Sequence, residues 1–174
     1  TGPDTNWSTC MQAYFTAIAS AEKSIYLTSP YFVPNESILT ALKTASLSGV
    51  DVKILLPLQS DSWMVHWCNR SYFSELINAG IRIFLYEKGF VHAKTMVIDD
   101  ELAIVGSANL DIRSFEQNFE VLSVVYDEET ARSLSKTFEM DLSDSVEVDE
   151  KEWKERSWKS NAKESVCRLC APLL

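Results

Sequence analysis

Trp7, Met11, Phe15 and Ile18 recur at helical spacing up to Glu22-Lys23, behind the cap-forming stretch Pro3-Asp4-Thr5-Asn6. The chain therefore opens with an amphipathic helix. The β-prone run Ser24 to Ser29 follows, ended by Pro30 and Pro34. Asn35 is placed to cap a helix whose Ile38, Leu39, Leu42 and Ala45 face one way until Gly49 stops it. Val50 to Leu56 is a nearly unbroken apolar strand, about Ser62 to Ala79 reads as a helix closed by Gly80, and Ile81 to Tyr86 is another strand. Strand, helix, strand, helix, strand at this spacing predicts a parallel sheet covered by helices.

The rhythm then changes. His92 to Ile98 and Leu102 to Ser107 are two β runs separated by the acidic turn Asp99-Asp100-Glu101, a hairpin signal. Leu110 to Asn118 reads as a loop, Glu120 to Tyr126 as a strand, and Glu128 to Leu142 as a helix with Leu134 and Phe138 inward. The fold class that follows is α/β, a mixed, largely parallel β-sheet flanked by helices on both faces. Residues 1–148 hold 10 basic and 20 acidic groups, whereas 149–174 hold 6 and 5, with Trp153, Trp158 and an apolar end at Val166, Leu169, Leu173 and Leu174. The expected organisation is a domain over 1–148 and a helical tail over 149–174. The tail's Trp and Lys residues suit either an anionic bilayer surface or a helix folded back on the domain.

Composition narrows the function. At 174 residues the chain makes one domain, able to bury roughly 70% of its unfolded surface. Its net charge of −9 counts against nucleic acid as a partner. Four cysteines (Cys10, Cys68, Cys167, Cys170) are too few for a disulfide scaffold, and the lack of a secretory leader reads as reduced thiols on the cytosolic side. No stretch approaches the roughly 20 apolar residues of a membrane span, so membrane contact is expected to be peripheral. The start at Thr1 reads as a fragment of a longer protein.

His92 stands two residues before Lys94 in an expected strand, which sends both side chains to one face. Ser107 and Asn109 repeat that spacing after Gly106, on the partner strand. Lys94, Ser107 and Asn109 supply donors without negative charge, as a phosphodiester needs, and a Lys left unpaired in an apolar strand costs several kcal/mol. The four residues read as an anion site with a titratable base. A lone strand His is by contrast usually a half-buried structural residue.

His92-Ala93-Lys94, Asp99 and Gly106-Ser107-Ala108-Asn109 together spell H-x-K-x4-D-x6-G-S-x-N, and on this motif the chain is identified as a member of the phospholipase D superfamily. Thr28 to Pro34, Ser60 to Trp63, Arg70 to Phe73, Gly89-Phe90-Val91, Leu110 to Phe115, Asn118 to Val121 and the ending Ala171 to Leu174 resemble the second half of bacterial cardiolipin synthases. Lys88, where a Pro is common, departs from that pattern.

The resemblance implies a phosphohistidine mechanism. One His attacks phosphorus and a second, from another motif copy, protonates the leaving alkoxide, so neighbours must push the two pKa values apart. This chain holds one motif, half a site. By resemblance His92 is the general acid and later general base, Lys94 and Asn109 hold phosphate oxygens, Ser107 supports them, and Glu120 accepts from the other His92 nitrogen. Glu120 reads equally as a surface strand residue. Asp99 belongs to the catalytic motif but reads equally as a structural turn residue. Arg113 either meets a headgroup or pairs with Asp111 or Glu116. The substrate implied is phosphatidylglycerol at a membrane surface, and the partner is an N-terminal motif-bearing half or a second copy of this chain. No cofactor or metal is implied, because the nucleophile is a side chain.

Tyr31, Phe32, Phe90 and Phe115 flank the motifs and either line an apolar cleft or fill the core. His66 lies in an amphipathic stretch and matches no second motif. Cys167-x-x-Cys170 has zinc-like spacing but no second pair nearby. The competing readings are a one-motif phosphodiesterase or nuclease completed by homodimerisation, and a phosphate- or headgroup-binding half without turnover.

Overall fold

The computed structural model describes residues 1–4 and 7–171. The cap candidates Thr5 and Asn6, and Leu173 and Leu174 of the apolar end, lie outside the described residues.

Helix α1 (Thr9–Ser20) buries Cys10, Tyr14, Ala17 and Ile18, while Trp7 and Phe15 are exposed. Its inward face is thus turned from the expected Trp7, Met11, Phe15, Ile18 stripe, because Tyr14 reaches Phe115 (ring centroids 5.9 Å). Strands β1 (Ser24–Thr28) and β2 (Phe32–Val33) lead to α2 (Glu36–Leu47), whose Asn35 cap accepts from the Ile38 N–H at 3.1 Å. After β3 (Asp51–Pro57), the expected single helix is two, α3 (Trp63–Arg70) and α4 (Phe73–Asn78). Ser71 Oγ donates to the Cys68 carbonyl (2.6 Å) and the Tyr72 N–H turns to Asn69 O, so the i to i−4 ladder ends there.

Then come β4 (Arg82–Tyr86), β5 (Thr95–Ile98) and β6 (Leu102–Gly106). The segment expected to be a loop holds β7 (Leu110–Asp111) and α5 (Ile112–Glu116), because Asp111 caps α5 through the Ser114 N–H. β8 (Leu122–Val125) and α6 (Glu128–Leu142) follow. A strand that no hydrophobic run signals, β9 (Ser145–Glu147), comes next, held by the exposed Arg82–Glu147 ion pair at 2.8 Å. The chain closes with α7 (Glu150–Glu155) and α8 (Trp158–Leu169).

Seven strands form one sheet in the order β8-β6-β5-β1-β3-β4-β9. The sheet is mixed, but not largely parallel. Only β1–β3 and β3–β4 are parallel, because the β5–β6 hairpin, β8 and β9 extend both sides antiparallel. Alternation along the strands serves two layers. Ile25, Leu27, Ile54, Ile83, Met96 and Ile104 join the core under α1 and α2, whereas Leu55, Phe84, Val97 and Ala103 meet Ala131 and Phe138 of α6. Helices therefore cover both faces. β2 and β7 pair apart from this sheet.

The C-terminal helices fold back. Trp153 is buried on Phe73, with the guanidinium groups of Arg70 and Arg156 at 4.8 and 4.1 Å from its ring. Arg156 pairs with the buried Glu164 (2.8 Å) and Arg168 with Glu75 (3.1 Å), so these tail cations are engaged within the fold. Trp158 stays exposed. Among the described residues no helix is long and apolar enough to cross a membrane.

Candidate active site

The β5–β6 hairpin decides where the motif residues go. Asp99 and Asp100 both adopt left-handed φ (57° and 59°), as a tight hairpin turn requires, and the Glu101 N–H closes the turn on Ile98 O at 3.0 Å. His92 and Lys94 precede β5 and Ser107 and Asn109 follow β6, so all four come to the same end of the sheet. The Gly106 N–H donates to Lys94 O (3.2 Å), tying the two segments.

His92 and Lys94 are not in the strand, contrary to the expectation of alternating strand geometry; regular pairing begins at Thr95. They still converge, because the Lys94 side chain folds back. Its Nζ donates to the His92 carbonyl (2.9 Å) and lies 3.2 Å from both Nδ1 and Nε2 of the ring. Burial pulls the Lys94 ammonium below the ordinary lysine pKa, against the opposing charges of Glu120 and Asp111. His92 itself is exposed.

Glu120 is placed differently from expectation. Its carboxylate receives the Ser107 hydroxyl and, at 3.4 Å, the Asn118 amide; among the described residues its bonds do not go to His92. Ser107 Oγ in turn accepts from the Val121 N–H (3.0 Å), which fixes the hydroxyl between β6 and the segment before β8. Glu120 thus acts on the site through Ser107 and through its charge beside Lys94. The Asn109 amide bonds to Asp111, whose carboxyl burial pushes up, with Glu120 adding to the rise and Ser114 and Asn109 opposing it.

Asp99 is not brought to the His92 cluster, and its bonds are those of the structural turn residue. It lies at the other end of β5 from His92, roughly 13 Å of strand away, and its carboxylate accepts from the backbone N–H groups of Glu22 (2.8 Å), Lys23 (2.7 Å) and Ser24 (2.7 Å). Among the described residues its bonds do not reach the His92 cluster; they anchor the hairpin to the start of β1.

Gly106 is required by a close approach. A Cβ there would lie 2.4 Å from Val121 O and 3.1 Å from Leu122 Cα, so β8 has to move to admit it. Gly106→Ala is expected to cost about 2 kcal/mol by overpacking, read as a lower urea midpoint, and to loosen Ser107 from Glu120.

Of the four flanking aromatics, Phe32 and Phe115 are core. Phe90 is half exposed and sits 5.5 Å from the His92 ring, and Tyr31 follows at 6.5 Å from Phe90. The Tyr31 hydroxyl donates to Asp61 (2.6 Å), and partial burial with that bond pushes its pKa up to about 12. Arg113 is exposed and forms no ion pair with Asp111 or Glu116 among the described residues. His66 is half-buried on α3 against Trp67, its pKa lowered by burial and by Arg70. The four cysteines are free, and among the described residues no three His, Cys, Asp or Glu side chains gather as a metal would need. Asn69, which the sequence does not single out, is buried and bonds Phe32 N (3.0 Å) and Pro30 O (3.4 Å), locking the loop that carries Tyr31.

Residues 14–142 match the family model described as the phospholipase D-like domain of cardiolipin synthase, and the chain belongs to that family. It is 46% identical over 173 residues to cardiolipin synthase 2 of Bacillus anthracis, 47% to the cardiolipin synthase of Geobacillus kaustophilus and 44% to the major cardiolipin synthase of Bacillus subtilis. Each alignment covers 99% of this chain and 34 to 36% of the relative, so the chain spans about a third of the curated relatives it matches. Among solved structures, the phospholipase D family member Nuc from Salmonella typhimurium superposes with a TM-score of 0.70 at 23% identity, over 79% of this chain and 89% of that one. Phosphatidylserine synthase of Haemophilus influenzae superposes at 0.73 and 17%, over 99% of this chain and 46% of that one. These two likenesses show the fold.

Proposed function

We propose that this chain is the C-terminal catalytic half of a cardiolipin synthase, converting two phosphatidylglycerols to cardiolipin and glycerol with a second motif-bearing half. The observation that carries the reading is the meeting of His92 and Lys94 at the sheet end that also holds Ser107, Asn109 and Glu120, in a chain that aligns along its whole length with part of cardiolipin synthases.

The chemistry needs two imidazoles on opposite sides of phosphorus. One displaces the glycerol to give a phosphohistidine, and His92, by resemblance the acid, gives its proton to the leaving alkoxide. His92 then takes the proton of the acceptor hydroxyl as that oxygen displaces the first imidazole. Lys94 and the Asn109 amide stabilise the non-bridging oxygens, whose charge the site must hold through both steps. Ser107 and Glu120 position the segment that carries Asn109. One phosphodiester replaces another, so no energy source is consumed.

In this reading residues 1–148 form the catalytic unit and 149–174 brace it through Trp153 and Arg156. The lipid substrate puts the assembled enzyme at the cell membrane in this reading, with this part peripheral on the cytoplasmic side.

The test supplies phosphatidylglycerol vesicles to the chain alone and to the chain joined to the N-terminal region of its protein, and measures solution mass. Cardiolipin formed only with the N-terminal region supports the reading. Cleavage of DNA by a dimer of this chain, without cardiolipin formation by the joined protein, replaces it with the nuclease reading.

A further inference from the structure

A cavity of 230 Å³ lies beside the His92 site, between the start of α3 and the segment bearing α5. Asn109, Asp111, Arg113 and Asn118 give its polar lining, and Tyr31, Val33 and Val65 the rest. It adjoins the His92 site. Asn109 belongs to both, the Asn118 amide donates to Glu120, and Tyr31 at the rim leads through Phe90 to the His92 ring.

The polar lining has hydrogen-bonding capacity to spare. Among the described residues, Asn109 Oδ1 is buried with no partner and Arg113 has no carboxylate paired to it. A water takes about 30 Å³ in the liquid, so the space suits a small polyol and is too small for a pair of acyl chains. An amide, a carboxyl and a guanidinium side by side match the adjacent hydroxyls of such a group, which both accept and donate.

We infer that this cavity is the subsite for the glycerol moiety of phosphatidylglycerol, first as it leaves the donor lipid and then as the acceptor lipid presents its hydroxyl. The inference rests on the proposed function and extends it to the acceptor. In the first step the P–O bond to glycerol breaks as the P–N bond to the partner imidazole forms, and the alkoxide takes its proton from His92. In the second, the acceptor hydroxyl returns a proton to His92, its oxygen bonds to phosphorus and the P–N bond breaks. In-line displacement puts both glycerol oxygens on the His92 side of phosphorus, so one pocket there serves each in turn. A glycerol seated in it also excludes the water that would hydrolyse the phosphohistidine to phosphatidic acid.

The experiment uses the chain joined to its N-terminal region, with phosphatidylglycerol in mixed micelles, and reads the ratio of cardiolipin to phosphatidic acid. Arg113→Ala removes one charged partner of the glycerol, and Val65→Phe fills the cavity without touching a polar group. Each is expected to lower the ratio about tenfold, Arg113→Ala by the loss of one hydrogen bond to a charged group and Val65→Phe by excluding the glycerol, while Arg113→Lys keeps most of it. A ratio unchanged in both variants, whether or not the total rate falls, overturns the subsite and leaves the proposed function standing. Unsubstituted protein that makes no cardiolipin overturns the proposed function and the subsite with it.

Discussion

Replacing His92 by Ala is expected to lower cardiolipin formation about ten-thousandfold in the joined protein, measured as product from phosphatidylglycerol. Protonating the leaving alkoxide and deprotonating the acceptor are both assigned to this one ring, and a positioned acid or base contributes up to about 10⁴ in rate. No neighbour can replace it. Lys94, whose ammonium burial lowers in pKa, lies 3.2 Å from the ring and is assigned to the phosphate oxygens in the proposed mechanism. His66, the other imidazole of the chain, sits on α3 against Trp67 and does not join the cluster. Because His92 is exposed and among the described residues its side-chain bonds go to Lys94, the substitution is expected to leave the fold intact, with circular dichroism and the urea midpoint unchanged. Activity retained above about 1% would remove His92 from the mechanism.

Asp99→Ala is expected to act on folding, by about 3 kcal/mol, read from urea denaturation at neutral pH. Three backbone N–H groups, of Glu22, Lys23 and Ser24, would lose their acceptor, at roughly 1 kcal/mol each where the site is part exposed, and Ala would be left with φ 57°. Asp99→Asn, which keeps one acceptor and tolerates that φ, is expected to cost about half as much. The pH dependence has a definite sign. Burial opposes the charge, but the three N–H groups and Lys23 outweigh it and hold the carboxyl below its ordinary value. The stabilisation is therefore full above the unfolded value of about 3.9 and is lost as pH falls through the lower folded value. The Asp99→Ala protein should lose this part of the acid sensitivity below about pH 4. An unchanged urea midpoint would show that water replaces the carboxylate at no cost.

These two residues belong to one motif and do different things, and that division was not legible in the spacing. The spacing from His92 to Asn109 states that four chemically active side chains recur around a hairpin, and the hairpin does bring them to one end of the sheet. It does not state that Asp99 lies at the opposite end, because a sequence motif has no direction in space until the turn is built. Similarly, the face of α2 was readable because one apolar stripe follows one cap, whereas α1 turned its Trp7 and Phe15 outward. Periodicity finds a stripe, but the partner that covers it, here α2 and Phe115, comes from elsewhere in the chain.

The sequence by itself determined the alternation of strands and helices, the position of the hairpin turn, the family and the residues of its motif. Local propensity, caps and motif spacing depend only on near neighbours along the chain. Tertiary structure alone decided that β8 and β9 make both edges antiparallel, that Glu120 is held by Ser107 and Asn118 and not by His92, that the basic tail is engaged by Glu75 and Glu164, and that a polar cavity opens beside the site. Each of these joins groups distant in sequence, and such a contact exists only when the rest of the fold holds both ends in place.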